Sequence, residues 1–291
     1  LSSLHWAFIL ITWVLTLSRQ KMKNIIEVKE LKKNYGANSV LKGINLTVHK
    51  GEIFALLGVN GAGKTTALEC IEGLRAYDSG NITVNGKIGI QLQSSALQAY
   101  IKPMEAVKLF ANWHKTTPDK EMLNSFGIPE LSKKKYADLS TGQKRRLHLA
   151  LALIGNPDII FLDEPTAGLD VEGRVSLHEQ IRALKSQGKT IILASHDMAE
   201  VEELCDRVAV LSNGNIAFIG TVDEFTAMGG KRHIIRIKTA DGQNEYETEN
   251  IMETLFTLLS EYKQKGISIS EIQTDRISLE QNFMNIVRGA N

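Results

Sequence analysis

GVNGAGKTT, residues 58–66, sits between the β-rich run EIFALL and the helix-like TTALECIEGL, the two overlapping only in its closing threonines. It matches G-x-x-x-x-G-K-[ST] in the strand–turn–helix setting that the pattern requires. Gly58, Gly61 and Gly63 allow backbone N–H groups to wrap phosphates, and the following helix N-terminus adds partial positive charge. Asn60 and Thr66 belong to the same nucleotide-binding stretch. Lys64 is placed to neutralise β- and γ-phosphates, and Thr65 to hold Mg²⁺ through its hydroxyl. A second carboxylate element is needed for the metal, and IIFLDE at 159–164 provides it. Asp163 is the Mg²⁺ candidate and Glu164 the candidate base for an attacking water. Together the two motifs predict nucleoside triphosphate hydrolysis.

The surrounding pattern predicts the fold. NIIEVKEL, INLTVHK and EIFALLG are short β-rich runs broken by Gly and Asn, as in a small antiparallel sheet leading into a buried strand. DIIFLDEP, KTIILASHD and RVAVLSNG are continuous apolar runs of the kind found in central parallel strands, with helical MAEVEELC between the last two. Residues from about 94 to 153 are predominantly helical; MEAVKLFANWHK carries apolar positions at helical spacing. The expected class is α/β: a P-loop NTPase core with a parallel sheet, an antiparallel β subdomain and a helical subdomain. The texture changes after Gly229 and Gly230. RHIIRIKTA, NIMETLFTLLSEY, ISISEIQ and SLEQNFMNIVRG read as a small C-terminal α/β appendage over 229–291, leaving 22–228 as the nucleotide-binding domain.

Composition narrows the partners. Across 291 residues, 34 Lys and Arg balance 33 Asp and Glu, so no global field draws the chain to nucleic acid. Cys70 and Cys205 have no CxxC or Cys/His spacing, which argues against a zinc site. Residues 4–17 are mostly apolar, short of the roughly 20 residues that cross hydrocarbon. No cation precedes them and no small-residue cleavage site follows, so residues 1–21 are expected to be a non-native or unstructured leader, with a start at Met22.

In order along the chain, Tyr35, Gln93 in IGIQLQ, LSTGQ at 139–143, Glu164 directly after Asp163, AGLD at 167–170 and His196 in LASHD resemble the ATP-binding subunit of ABC transporters. The resemblance spans about residues 25–228. Thr141 stands where the family usually has glycine, and Val59 and Leu92 replace usual prolines. It implies that Tyr35 stacks on adenine, that Gln93 senses Mg²⁺ and the attacking water, and that His196 touches the γ-phosphate. Asp170 would lie in the loop facing a partner. The adjacent Glu164 implies a hydrolytic rather than degenerate site.

The stretch LSTGQKRRLHLAL at 139–151 puts small hydrogen-bonding residues ahead of a helix expected to begin near Gln143. Ser140, Gly142 and Gln143 would then form an anion site distinct from the Lys64 loop. The family implies that two copies pair head to tail, each signature covering the nucleotide bound by the other. It also implies a separate polytopic membrane permease, on whose cytoplasmic side this motor would sit, and subunits of this build resemble exporters of drugs, antibiotics or other amphiphiles. Ile101, Met104, Val107, Leu109, Phe110 and Trp113 are expected to frame the permease groove, with only a few exposed. The alternative is a soluble non-transport ATPase, acting in iron–sulfur assembly or on ribosomes.

Overall fold

The computed structural model describes residues 23–91, 97–228, 233–240, 242–276 and 279–289. The expected leader at 1–21 and Gln93 lie outside the described residues.

Three strands open the chain, β1 (Asn24–Tyr35), β2 (Asn38–His49) and β3 (Ile53–Leu57). Helix α1 (Lys64–Ile71) follows the glycine-rich loop, and then come β4 (Ser79–Val84) and β5 (Ile88–Gln91). β1 pairs antiparallel with β2 and β4, in the order β2-β1-β4. The helical region holds α2 (Pro103–Trp113), α3 (Lys120–Ser125) and α4 (Thr141–Ala152), with two short 3₁₀ turns between α3 and α4. Next are β6 (Ile159–Asp163), α5 (Val171–Ser186), β7 (Thr190–Ser195), α6 (Met198–Leu204), β8 (Arg207–Ser212), β9 (Asn215–Thr221) and α7 (Val222–Ala227).

The main sheet runs β5-β6-β7-β3-β8-β9, parallel except for β9. Both faces are covered, which explains why β3, β6 and β7 are unbroken apolar runs in sequence. Because side chains alternate, Ile53, Ala55 and Leu57 pack with the helical region, while Phe54 and Leu56 pack with α1 and the antiparallel sheet. Every such strand therefore ends between the two layers, and the carboxyl ends of β3, β6 and β7 converge on one rim.

Gly89 shows how tightly β5 is pressed against the end of α4. A Cβ there would sit 2.1 Å from the Ala152 carbonyl oxygen and 2.9 Å from Pro157 Cγ. Gly89→Ala is expected to lower stability by at least the ~1–3 kcal/mol typical of overpacking. The measurement is the urea midpoint; an unchanged midpoint would mean that β5 and α4 are not in this contact.

The C-terminal segment forms a three-stranded antiparallel sheet, β11 (Gly242–Thr248), β10 (His233–Thr239) and β12 (Ile269–Arg276), covered by α8 (Ile251–Gln264). The last helix, α9 (Leu279–Gly289), does not stay with that sheet. Phe283 joins the core beneath the main sheet, and Asn282 Nδ2 donates to the carbonyls of Phe225 and Thr226 at 3.0 and 3.1 Å. The appendage read at 229–291 is thus fastened to the nucleotide-binding fold at its end as well as its start. Sequence pattern gave the helix, but its docking depends on contacts made some 57 residues away.

Candidate active site

The 58–66 loop is held at the rim by backbone geometry that its glycines permit. Gly61 and Gly63 take φ of +82° and +104°, and Gly63 caps α1 from the left-handed region. At Gly58 a Cβ would meet the Leu211 carbonyl oxygen at 2.7 Å. Asn60 is exposed on the loop, and in the first turn of α1 Thr65 is exposed and Thr66 half-buried. Lys64 is 7% exposed, and its Nζ donates to the carbonyls of Gly58 at 2.7 Å and Val59 at 3.3 Å. Burial pushes its pKa down, opposed by the nearby Glu164 and Asp163 carboxylates.

Asp163, the last residue of β6, is buried and accepts from Thr65 Oγ1 at 3.3 Å. Burial raises its pKa, the Thr65 hydrogen bond opposes that, and Glu164 adds a like charge. The pairing of a hydroxyl with a carboxylate is a hard-oxygen donor set, and its chemistry fits Mg²⁺.

Glu164 follows at φ +47°, a left-handed conformation unusual outside glycine, with its N–H donating to the Ala194 carbonyl at 3.0 Å. Its Oε1 lies 3.0 Å from His196 Nδ1. An ionised carboxylate only accepts, so Nδ1 carries the proton of this contact. The 58–66 loop, Asp163, Glu164 and His196, which are scattered over more than 130 residues of sequence, are thereby brought together.

Tyr35 closes β1 and is exposed, with Lys33 Nζ 5.4 Å and the Arg75 guanidinium 5.6 Å from its ring centroid. The signature residues lie elsewhere. Ser140 caps α4, whose first residue is Thr141 rather than a position near Gln143. Its Oγ accepts from Gln143 N at 3.2 Å, and Gln143 Oε1 accepts from Ser140 N at 3.1 Å. The S-x-x-Q spacing of such a capping box was present in the sequence. Asp170 likewise caps α5, accepting from Gly173 N at 2.8 Å. Ser140, Gly142, Gln143 and Asp170 line one open cleft of about 490 Å³, to which no residue of the 58–66 loop contributes.

A family model described as ABC transporter matches residues 41–167. The linearmycin resistance ATP-binding protein LnrL of Bacillus subtilis is 32% identical, over 90% of this chain and 98% of its own length. The chain belongs to the ABC transporter ATP-binding proteins. As a member it is an ATP-binding ATPase of the transport type. The daunorubicin resistance ATP-binding protein DrrA3 of Streptomyces coeruleorubidus is 29% identical over 90% of this chain and 95% of its own length. A solved ATP-binding subunit of an ABC transporter superposes with a TM-score of 0.65 at 28% identity, covering 71% of this ATPase and 93% of that chain.

Of the apolar positions expected to frame a groove in this ABC subunit, Val107 is fully buried, and Ile101, Met104 and Phe110 pack partly against the core. Leu109 and Trp113 are 55% and 78% exposed, one turn apart on α2. No helix among the described residues is long and apolar enough to cross a membrane. Sequence reading missed Ser195, Arg174, His178, Asp197 and Glu200, which form a polar network directly behind His196.

Proposed function

We propose that this ATPase works as a head-to-tail pair that drives a separate polytopic membrane permease. In each site the Gly58–Thr66 loop of one copy binds the phosphates, Lys64 neutralises them and Tyr35 stacks on adenine. Thr65, Asp163 and Gln93 would hold Mg²⁺, which neutralises phosphate charge when bound. Glu164 takes the proton of the attacking water, and His196, fixed by Glu164, reaches the γ-phosphate. Ser140, Gly142 and Gln143 of the partner copy close the site, with Asp170 in the loop between the copies. The observation that carries this reading is the pair of contacts at one rim, Thr65 to Asp163 and Glu164 to His196. A capped helix end in a separate cleft from the Lys64 loop supports completion of each site by a second copy.

Domain limits of 22–228 for the ATPase unit and 229–291 for the appendage follow from the same reading. Leu109 and Trp113, exposed on α2, form the edge that receives a cytoplasmic helix of the permease, and the subunit sits on the cytoplasmic face of the membrane. The resistance roles in the names of two relatives support export of a drug, antibiotic or other amphiphile. Co-expression with a polytopic membrane protein, should a neighbouring gene encode one, is expected to shift the chain from the soluble to the membrane fraction. A chain that remains soluble in both conditions would overturn the permease and favour a non-transport ATPase.

A further inference from the structure

Behind His196, helices α5 and α6 are tied by polar contacts at one-turn spacing. Arg174, His178 and Arg182 fall at i, i+4 and i+8 of α5 and share one face. Arg174 Nη1 donates to Asp197 Oδ2 at 3.0 Å, and Arg182 pairs with Glu203. Between them the His178 ring is 1% exposed, with Nδ1 2.9 Å from Glu203 Oε2 and Nε2 3.8 Å from Glu200 Oε1. Neither of the last two atoms has a hydrogen-bond partner among the described residues. An apolar residue at 178 would remove the unpaired Nε2 but leave the buried Glu200 Oε1 facing no polar group of α5, so packing alone does not account for a histidine here.

Glu200 passes the contact to the site. It is buried, and its Oε2 accepts from Ser195 Oγ at 2.6 Å. That same Ser195 Oγ accepts from Asp197 N at 3.0 Å, while Asp197 also receives Arg174. His196 is therefore bracketed by two residues whose positions the network sets. Since Asp170 caps α5, the network also joins the helix led by the 167–170 loop to the segment that carries His196.

We propose that His178 is a positioning residue for ATP hydrolysis, acting through Glu200 and Ser195 to fix the backbone on both sides of His196 and so hold the His196–Glu164 contact. This rests on the role given to His196 above. From α6 the ring faces Glu200 and Glu203, β7 is linked to it only through the Ser195 bond to Glu200, and on its own helix it is flanked by Arg174 and Arg182. Cys205 at the end of α6 is kept a neutral thiol by burial. The Glu200 carboxylate, followed by Glu203, raises the His178 pKa against the opposing effect of burial. A raised histidine pKa means that the charged tie is complete at lower pH and is lost as pH rises through that pKa.

The test uses the purified full chain with Ser195→Ala, His178→Phe and, as reference, His196→Ala. Ser195→Ala and His178→Phe are expected to lower kcat roughly 10-fold while the Kd for a fluorescent ATP analogue stays within about two-fold, as for misplacement rather than loss of binding. The parent's kcat should fall as pH rises through the His178 titration, and His178→Phe should lack that limb. Combining the two substitutions should slow turnover no more than either alone, since both break one chain of contacts. An unchanged kcat in Ser195→Ala, which removes a single oxygen, overturns the inference even if His178→Phe fails to fold. If His196→Ala itself turns over normally, the fault lies with the site reading; if only His196→Ala is slow, it lies with the network.

Discussion

Lys64→Ala abolishes ATP binding, whereas Glu164→Gln retains it and turns over about 10²–10⁴-fold more slowly, as expected for loss of a general base. The two side chains stand within one charged cluster, so their different effects follow from what each does and not from where they lie. Lys64 is a buried cation whose ammonium donates to the Gly58 and Val59 carbonyls, inside the loop proposed above to bind the phosphates. Its removal takes away the positive charge that offsets both Asp163 and the incoming phosphates, and the loss falls on the ground state. Glu164 touches His196 and its own backbone rim, and glutamine preserves shape and the contact oxygen while discarding basicity. Equilibrium binding of labelled ATP and single-turnover hydrolysis separate the two. Equal loss of binding in both variants would sink this division of roles.

In mixed dimers, a subunit carrying Lys64→Ala paired with one carrying Ser140→Arg traps one ATP, and a subunit carrying both lesions paired with an intact one traps none. Head-to-tail pairing concentrates the separated lesions in a single site and leaves the other whole, while the double lesion damages one element of each site. If each chain built its own site, the outcomes would swap. Ser140→Ala cannot make this distinction, because the hydroxyl also caps α4 and removing a cap costs about 1 kcal/mol by itself. Arginine at 140 adds a bulky side chain to the rim of the cleft shared with Asp170 and Gly173 and blocks approach. Trapped nucleotide is counted after rapid gel filtration, in a Glu164→Gln background that slows its loss. Retention only in the doubly lesioned pairing would refute shared sites.

The parts of the fold legible in sequence were those whose cause is local. The 58–66 loop announces itself because phosphate wrapping needs glycines at fixed offsets, and β6 because burial on both faces forbids polar interruptions. The start of α4 was misjudged: Thr141 and Gly142 look like loop residues, yet the Ser140–Gln143 capping box already makes them the first turn. His178 was invisible for a different reason. Its partners lie 22 and 25 positions on, and only the packing of α5 against α6 shows that a single histidine in an amphipathic helix faces two carboxylates. The docking of α9 on α7 likewise follows from tertiary contacts that no periodicity encodes.

Glu164 is held in a left-handed backbone conformation, and a residue so placed carries a penalty of about 1–3 kcal/mol. A whole domain is stable by only about 5–15 kcal/mol, so this one dihedral is a visible fraction of the total. Glycine would relieve the penalty and remove the carboxylate; glutamine would do neither for the backbone. The sequence is therefore not the most stable one for its own fold, and the discrepancy sits at the residue proposed above as the base. Selection for durability and selection for catalysis pull this residue in opposite directions.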